Sequence, residues 1–193
     1  MSLDLISKVN DRFISAIAFH RAQRDLFVFL SLEGFSQLHS YQIIVESKMQ
    51  ENLKTFIIKT YHHLPSDSAS KAFYIGIKKS RLDLTPDYAW KENTNSFKQY
   101  RAWESETLSI YEDIAQQLNK SGDLIGYNYI KNIALEVHKE LIKVSDMIIA
   151  YSAIEWDLSQ IKSEQDTLLE RYIYLTSQIY PEVKPHHFNS LVD

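Results

Sequence analysis

The amino-acid sequence predicts an all-α protein, and two observations carry this prediction. Apolar residues recur at steps of three and four over long stretches, which is the spacing of one face of an α-helix. The 193 residues also include only four glycines and four prolines, so few positions interrupt such helices. A chain of this length with 45% hydrophobic residues can bury one core. We therefore expect a single domain over residues 1–193, with a helical bundle at about 3–150 and an extra helix and tail at 151–193.

Five helices are predicted from this spacing. Gly34 is expected to end the first helix, because glycine readily adopts the left-handed backbone that terminates helices. Gly122 and Asp123 are expected to form a short turn between the third and fourth helices, with Asp123 capping the fourth. The tail after Pro181 is expected to be irregular. The approximate bounds of the five helices are 3–32, 34–62, 96–120, 124–150 and 154–180.

The segment from about 64 to 94 lacks the helical spacing and is predicted to be a long connection. The second helix is roughly 40 Å long at 1.5 Å per residue, and about thirty connecting residues can run back along it. The third helix is then expected to start at the same end as the second and to run parallel to it.

Composition and charge exclude several classes of function. The formal net charge of −4 argues against nucleic-acid binding, which needs a basic surface. The absence of cysteine excludes disulfides and thiolate metal sites, so any metal would be held by oxygen or nitrogen ligands. We find no signal peptide pattern, and the apolar runs are too short for a membrane span. The sequence therefore predicts a cytoplasmic protein without a membrane or nucleic-acid partner.

Four glutamates lie on or beside the apolar faces of the predicted helices. Glu46 is set into the face of the second helix and Glu104 into the face of the third. Glu136 and Glu140 lie one turn apart on the fourth helix, beside its apolar face. A buried ionised carboxylate costs several kcal/mol unless it is paired, hydrogen-bonded or bound to a metal. These four residues are therefore candidate functional groups.

The order and spacing of these residues resemble the ferritin-like di-iron carboxylate proteins. The resemblance covers about residues 5–150 and implies an up-down four-helix bundle with one long crossover, followed here by an additional C-terminal helix. It implies that Glu46, Glu104, Glu136 and Glu140 bind iron in the bundle core, with Tyr111 as an accessory group. The matching segments are LEGFSQL and GFSQLHSYQIIVES around the second helix, RAWESE on the third, and SGDLIGYNYIKNIALEVHKE leading into the fourth.

The sequence departs from the family pattern at two positions. The family places a histidine where this chain has Met49, and a first-helix glutamate near Arg12. A di-iron site needs several carboxylates and histidines, so the first shell is incomplete and the sequence leaves ferroxidase activity open. The guanidinium of Arg12 can instead replace the missing positive charge next to the glutamates. Lys143, three residues after Glu140, can do the same.

Ordinary structural roles stay open for each of these residues. Glutamates on helix faces often form ion pairs, methionine often fills core gaps, and His20 on the first helix can be a core histidine. Two functions therefore stay open. The protein binds iron at a degenerate site, or it is a metal-free ferritin-like fold that serves as a structural or partner-binding helical module.

The segment after Ala150 predicts the assembly. Its apolar residues need a partner surface, either on the same bundle or on another subunit. Both arrangements would obstruct the surfaces that a closed cage needs. We therefore expect a small homo-oligomer, with a dimer favoured, and no enclosed mineral cavity.

Overall fold

The computed structural model describes residues 2–63, 65 and 95–179, and within these residues it is all-helical, as predicted. No strand occurs in this part of the chain. The predicted crossover, apart from residue 65, and the predicted tail after Pro181 lie outside the described residues. The six helices are α1 (Ser2–Phe29), α2 (Glu33–Tyr61), α3 (Asn95–Lys120), α4 (Leu124–Ala153), α5 (Leu158–Ser163) and α6 (Gln165–Ile179).

The prediction that Gly34 ends the first helix is wrong. α1 ends at Phe29, and the left-handed residue of the following turn is Ser31, with a φ of 55°. The amide of Leu32 closes this turn by donating to the carbonyl of Phe27 at 2.9 Å. Gly34 lies inside the first turn of α2. A short turn of this kind joins α1 and α2 as an antiparallel pair.

Gly34 is required for close packing between α2 and α6. A Cβ atom on Gly34 would lie 2.6 Å from the carbonyl oxygen of Gln165 and 2.8 Å from the Cβ of Leu168. The amide of Phe35 also donates to the side-chain oxygen of Gln165 at 3.2 Å. The missing side chain therefore allows the start of α6 to rest on the start of α2.

Replacing Gly34 with alanine is expected to lower the free energy of unfolding by about 1–3 kcal/mol through overpacking. Alanine is otherwise the better helix former, so a destabilisation would specifically report the contact with α6. Chemical denaturation would measure it, with Thr55→Ala on the exposed face of α2 as the control, expected within about 0.5 kcal/mol of the wild type. Equal or greater stability of Gly34→Ala would contradict the close contact.

The turn between α3 and α4 forms as predicted. Gly122 is left-handed, with a φ of 79°. The Asp123 carboxylate caps α4 by accepting from the amide of Gly126 at 2.9 Å. The same carboxylate accepts from the Tyr61 hydroxyl at 2.6 Å, which ties the end of α2 to the start of α4.

The prediction of one continuous helix at 154–180 is wrong, because the chain first turns after α4 and is then divided at Glu164 into the helices α5 and α6. Glu155 and Trp156 are both left-handed in this turn. The Trp156 ring packs against Phe97 at 5.5 Å between ring centroids, which holds the turn against the core. The Asp157 carboxylate then caps α5. This change of direction places α6 alongside α2 of the same chain.

Ring contacts define the directions of the four long helices, since they match positions along pairs of helices. Phe35 at the start of α2 contacts Phe97 at the start of α3, at 5.0 Å between ring centroids. One turn further along both helices His39 contacts Tyr100, also at 5.0 Å, so α2 and α3 run parallel, as predicted. Phe35 also contacts Tyr151 near the end of α4, whereas Phe56 near the end of α2 stacks on Tyr129 at 3.9 Å. α2 and α4 are therefore antiparallel.

The long helices enclose apolar side chains along their whole length. The end near the α1–α2 turn is rich in aromatic residues, including Phe27, Phe35 and Phe97, and the opposite end is mainly aliphatic, including Ile57 and Leu118. The described helices do not combine the length and the hydropathy that a membrane span requires.

Candidate functional site

All four predicted glutamates line one cleft between α2, α3 and α4, with Glu136 at its exposed rim. The cleft has a volume of about 100 Å³. Glu46 comes from α2, Glu104 from α3 and Glu140 from α4, and Met49 lies on the same wall as Glu46. Helical spacing turned these acids toward the interior, and the packing of three helices brought them together.

Glu104 is the most deeply buried of these acids, at 3% exposure. Burial raises the pKa of its carboxyl well above the ordinary value, and the neighbouring Glu46 and Glu140 raise it further. The positive charge of Arg12 opposes this rise. Glu104 is therefore most stable as a neutral carboxylic acid.

Glu46 is half-buried and borders the open part of the cleft. Burial raises the pKa of Glu46 to about 8, with a further contribution from Glu140, while Arg12 lowers it. A carboxyl of this kind holds its proton at neutral pH. It releases the proton when a positive charge approaches or when the pH rises.

Glu140 is engaged by two donors. The Tyr100 hydroxyl donates to Oε1 at 2.7 Å, and the Lys143 ammonium donates to Oε2 at 3.1 Å. Tyr100 is buried, and burial together with Glu140 raises the pKa of its hydroxyl, so it remains a donor. Lys143 therefore forms an ion pair with Glu140, and its role as a replacement for metal charge stays a prediction.

Glu136 lies at the rim of the cleft and differs from the other three acids. Its side chain is 57% exposed and pairs with Lys139 at 2.7 Å. Lys139 also lines the cleft. Glu136 is therefore a surface ion-pair residue in this arrangement, although it remains close enough to border the site.

Arg12 reaches the acidic cluster from α1 and has a side chain that is 13% exposed. Its Nε donates to Thr107 Oγ1 at 2.9 Å, and its guanidinium carbon lies 3.5 Å from the centre of the Trp103 ring. Its Nη2 donates to the Trp103 carbonyl at 3.2 Å and to Glu106 at 3.1 Å. Its charge lowers the pKa values of Glu46 and Glu104.

Met49 and Tyr111 complete the predicted set. Met49 packs against the aliphatic core and lines the cleft. Tyr111 is buried and packs against Phe13 at 6.1 Å between ring centroids. Burial raises the pKa of its hydroxyl, and Glu46 contributes to the rise.

A pair of buried histidines adjoins the cluster, and the sequence had indicated only one of them. His20 of α1 and His39 of α2 lie with their Nδ1 atoms 2.9 Å apart, and burial lowers both pKa values, that of His20 to about 3. Both rings are therefore neutral. His20 Nε2 lies 3.8 Å from Glu104 Oε1. His39 follows Phe35 by one helical turn, and this spacing was the signal that could have placed it in the core.

α6 packs behind one wall of the cleft, which the sequence did not indicate. The Tyr172 ring contacts Tyr41 at 5.6 Å between centroids, and Tyr41 lines the cleft. Burial and the neighbouring Glu140 raise the pKa of Tyr172 to about 12. The C-terminal helix therefore contributes to the apolar surroundings of the acids.

The donor groups provide a test of whether this arrangement fits a metal ion. In residues 2–63, 65 and 95–179, no group of three or more histidine, aspartate or glutamate side chains has a geometry that could hold one. Glu140 is already bonded to Lys143 and Tyr100, and Met49 is a poor ligand for iron. In this arrangement the side chains do not fit a di-iron group, and iron binding by the four glutamates stays a prediction.

Comparisons with known proteins neither support nor contradict the resemblance to ferritin-like proteins. No protein-family model, curated protein or solved structure matches this chain. The resemblance to ferritin-like proteins therefore stays a prediction from the residues and their spacing.

Proposed function

We propose that the protein is a ferritin-like four-helix bundle with a long crossover and additional C-terminal helices, and that it acts as a partner-binding helical module without bound metal. Protons, Arg12 and Lys143 take the place that metal ions hold in the family. The acidic interior is then an inherited feature that stabilises the fold only when it is neutralised. The partner then binds to the outer surface of the bundle.

The observation that supports this proposal most directly is the engagement of the cluster by cationic side chains. Lys143 donates to Glu140, and the charge of Arg12 lowers the pKa values of Glu46 and Glu104. A carboxylate that already has a cationic neighbour gains little from a metal ion, because the metal must displace or repel that neighbour. Arg12 lies near the position at which ferritin-like proteins have a first-helix glutamate.

Iron binding is the second candidate, and one observation favours it. Three helices each contribute a glutamate to one cleft, which is the donor type that hard cations prefer. For iron to bind, Glu46 and Glu104 would have to lose their protons, and Lys143 would have to leave Glu140.

Anaerobic titration with Fe(II), followed by calorimetry, distinguishes the two candidates. We expect the wild-type chain to bind with a Kd no tighter than about 1 mM. The variant Arg12→Glu with Met49→His supplies the acid and the imidazole that the family pattern has there, and it should bind more tightly than the wild type. Binding of one Fe(II) per wild-type chain that is lost in Glu46→Gln with Glu104→Gln would refute the metal-free proposal and support iron binding.

A further inference from the structure

The cleft between α2, α3 and α4 is lined by polar side chains that have no hydrogen bonds to the described part of the chain. Gln42 lines the cleft and is 5% exposed, yet its side-chain amide has no hydrogen-bond partner among the described residues. The carboxyls of Glu46 and Glu104 also line the cleft and likewise have none in residues 2–63, 65 and 95–179. Buried polar groups are normally hydrogen-bonded, so three such side chains on one cleft indicate a site for a polar ligand.

The side chains behind the cleft do not supply the missing donors. His20 Nε2 lies 3.8 Å from Glu104 Oε1, which is too far for a hydrogen bond. This nitrogen is itself buried and has no hydrogen-bond partner in the part of the chain that the structure describes. Arg12 directs its hydrogen bonds to residues of α3 that do not line the cleft. Donors to Glu46 and Glu104 must therefore come from a molecule in the cleft.

The charges around the cleft show which kind of ligand would be complementary. Four glutamates and two lysines line it. Lys139 pairs with Glu136, and Lys143 pairs with Glu140, so two carboxyls are left without a lysine. A complementary ligand brings N–H donors and one positive charge. An ammonium group has both, because it carries three donors and no acceptor.

The size and the walls of the cleft favour a small amine. Its volume of about 100 Å³ compares with about 150 Å³ for a cavity that holds benzene, so it has room for roughly four non-hydrogen atoms. Val45, Met49 and Val137 line the cleft, and a short alkyl chain can pack against them.

A metal ion is less suited to these side chains than an ammonium group. A metal ion needs several ligands that converge at about 2.0–2.6 Å, and the described side chains have no such geometry. An ammonium group forms hydrogen bonds of about 2.7–2.9 Å to carboxylate oxygens, which requires less convergence of the acids.

We infer that this cleft binds a small primary alkylammonium ion, with a chain of about three carbons, through Glu46, Glu104 and Gln42. The ammonium group donates to the carboxyl oxygens of the two glutamates and to the side-chain oxygen of Gln42, and the alkyl chain lies against Val45 and Met49. Glu46 releases its proton to the solvent as the positive charge enters, so the bound pair is neutral. This inference goes beyond the proposed function, because the ligand binds between the helices rather than on the outer surface.

Titration with propylammonium at constant ionic strength tests the site, with the NMR signal of the Gln42 side-chain amide as the readout. We expect saturable binding with a Kd of about 1–10 mM, which is within the ceiling for a ligand of so few atoms. 1-Propanol has the same size without the charge, and tetramethylammonium has the charge without N–H donors. Both are expected to bind at least about tenfold more weakly than propylammonium.

Two substitutions test the residues that we assign to the site. Glu46→Gln removes the charge and Gln42→Leu removes an acceptor, while both keep the approximate size of the side chain. Each should weaken propylammonium binding at least about fivefold. Glu51→Gln is the matched control, because Glu51 is an exposed glutamate of α2 that pairs with Lys48. It should leave the Kd within about twofold of the wild type.

Absence of saturable propylammonium binding to the wild type would overturn the inference. Equally tight binding of 1-propanol or tetramethylammonium would do the same, as would an unchanged Kd in either variant. The comparison of ligands uses the wild-type chain, so it decides the question even if a variant fails to fold. A chain that binds neither propylammonium nor Fe(II) would overturn this inference and leave the metal-free proposal standing, so the two failures are distinguishable.

Discussion

Replacing Arg12 with alanine is expected to lower the free energy of unfolding by about 3 kcal/mol, because it removes a largely buried side chain and its hydrogen bond to Thr107. The substitution removes the cation that lowers the pKa values of Glu46 and Glu104. It also leaves the Trp103 carbonyl without a donor from Arg12 and removes the contact of the guanidinium with the Trp103 ring. Urea denaturation at pH 7 measures the change.

Arg24→Ala is the matched control for this experiment. Arg24 is also on α1, but it is more exposed than Arg12 and pairs with its sequence neighbour Asp25. An exposed pair contributes about 0–1 kcal/mol, so this variant should remain close to the wild type. Similar small losses in both variants would contradict the expected contribution of the buried Arg12 contacts.

Stability is expected to fall as the pH rises from about 6.5 to 8, and Glu46→Gln should remove about 1–2 kcal/mol of that fall. The pKa of Glu46 is raised from 4.5 to about 8 on folding. The folded state therefore holds a proton that the unfolded state has lost, and each pH unit in this interval costs up to about 1.4 kcal/mol. Glutamine resembles the protonated side chain and has no proton to lose. The raised pKa of Glu104 acts in the same direction.

The buried histidines restrict the pH interval in which this effect is visible. The pKa of His20 is lowered from 6.5 to about 3, so below pH 6.5 the unfolded state binds protons that the folded state does not, and stability falls as the pH falls. This opposes the Glu46 effect most strongly below pH 6.5, and because the unfolded histidines are still half protonated at pH 6.5, the opposition becomes negligible only above about pH 7.5. The difference between the wild type and Glu46→Gln at pH 6.5, 7.2 and 8.0 cancels the histidine contribution and therefore isolates that of Glu46.

Glu136→Gln serves as the control for the pH experiment, because Glu136 is an exposed glutamate bordering the same cleft. It should leave the pH dependence of the wild type unchanged. If Glu46→Gln shows the same fall in stability between pH 6.5 and 8 as the wild type, then Glu46 is ionised in the folded protein at neutral pH.

The sequence by itself determined the features that depend on local spacing. Apolar residues at steps of three and four specified the four long helices, and Gly122 with Asp123 specified the turn between α3 and α4. The same spacing showed that Glu46 and Glu104 point inward, because the side of a helix on which a residue lies follows directly from its position along the chain.

The tertiary structure alone decided which of these side chains meet. The sequence identified the residue type at Gly34 but misassigned its role, because the need for a missing Cβ comes from α6, about 130 residues away. The contacts of Tyr100 with Glu140 and of His20 with His39 likewise join different helices. The charge state of the acidic cluster is decided at the same level. A carboxyl pKa depends on burial and on neighbouring charges, and both are set by helix packing rather than by spacing along one helix.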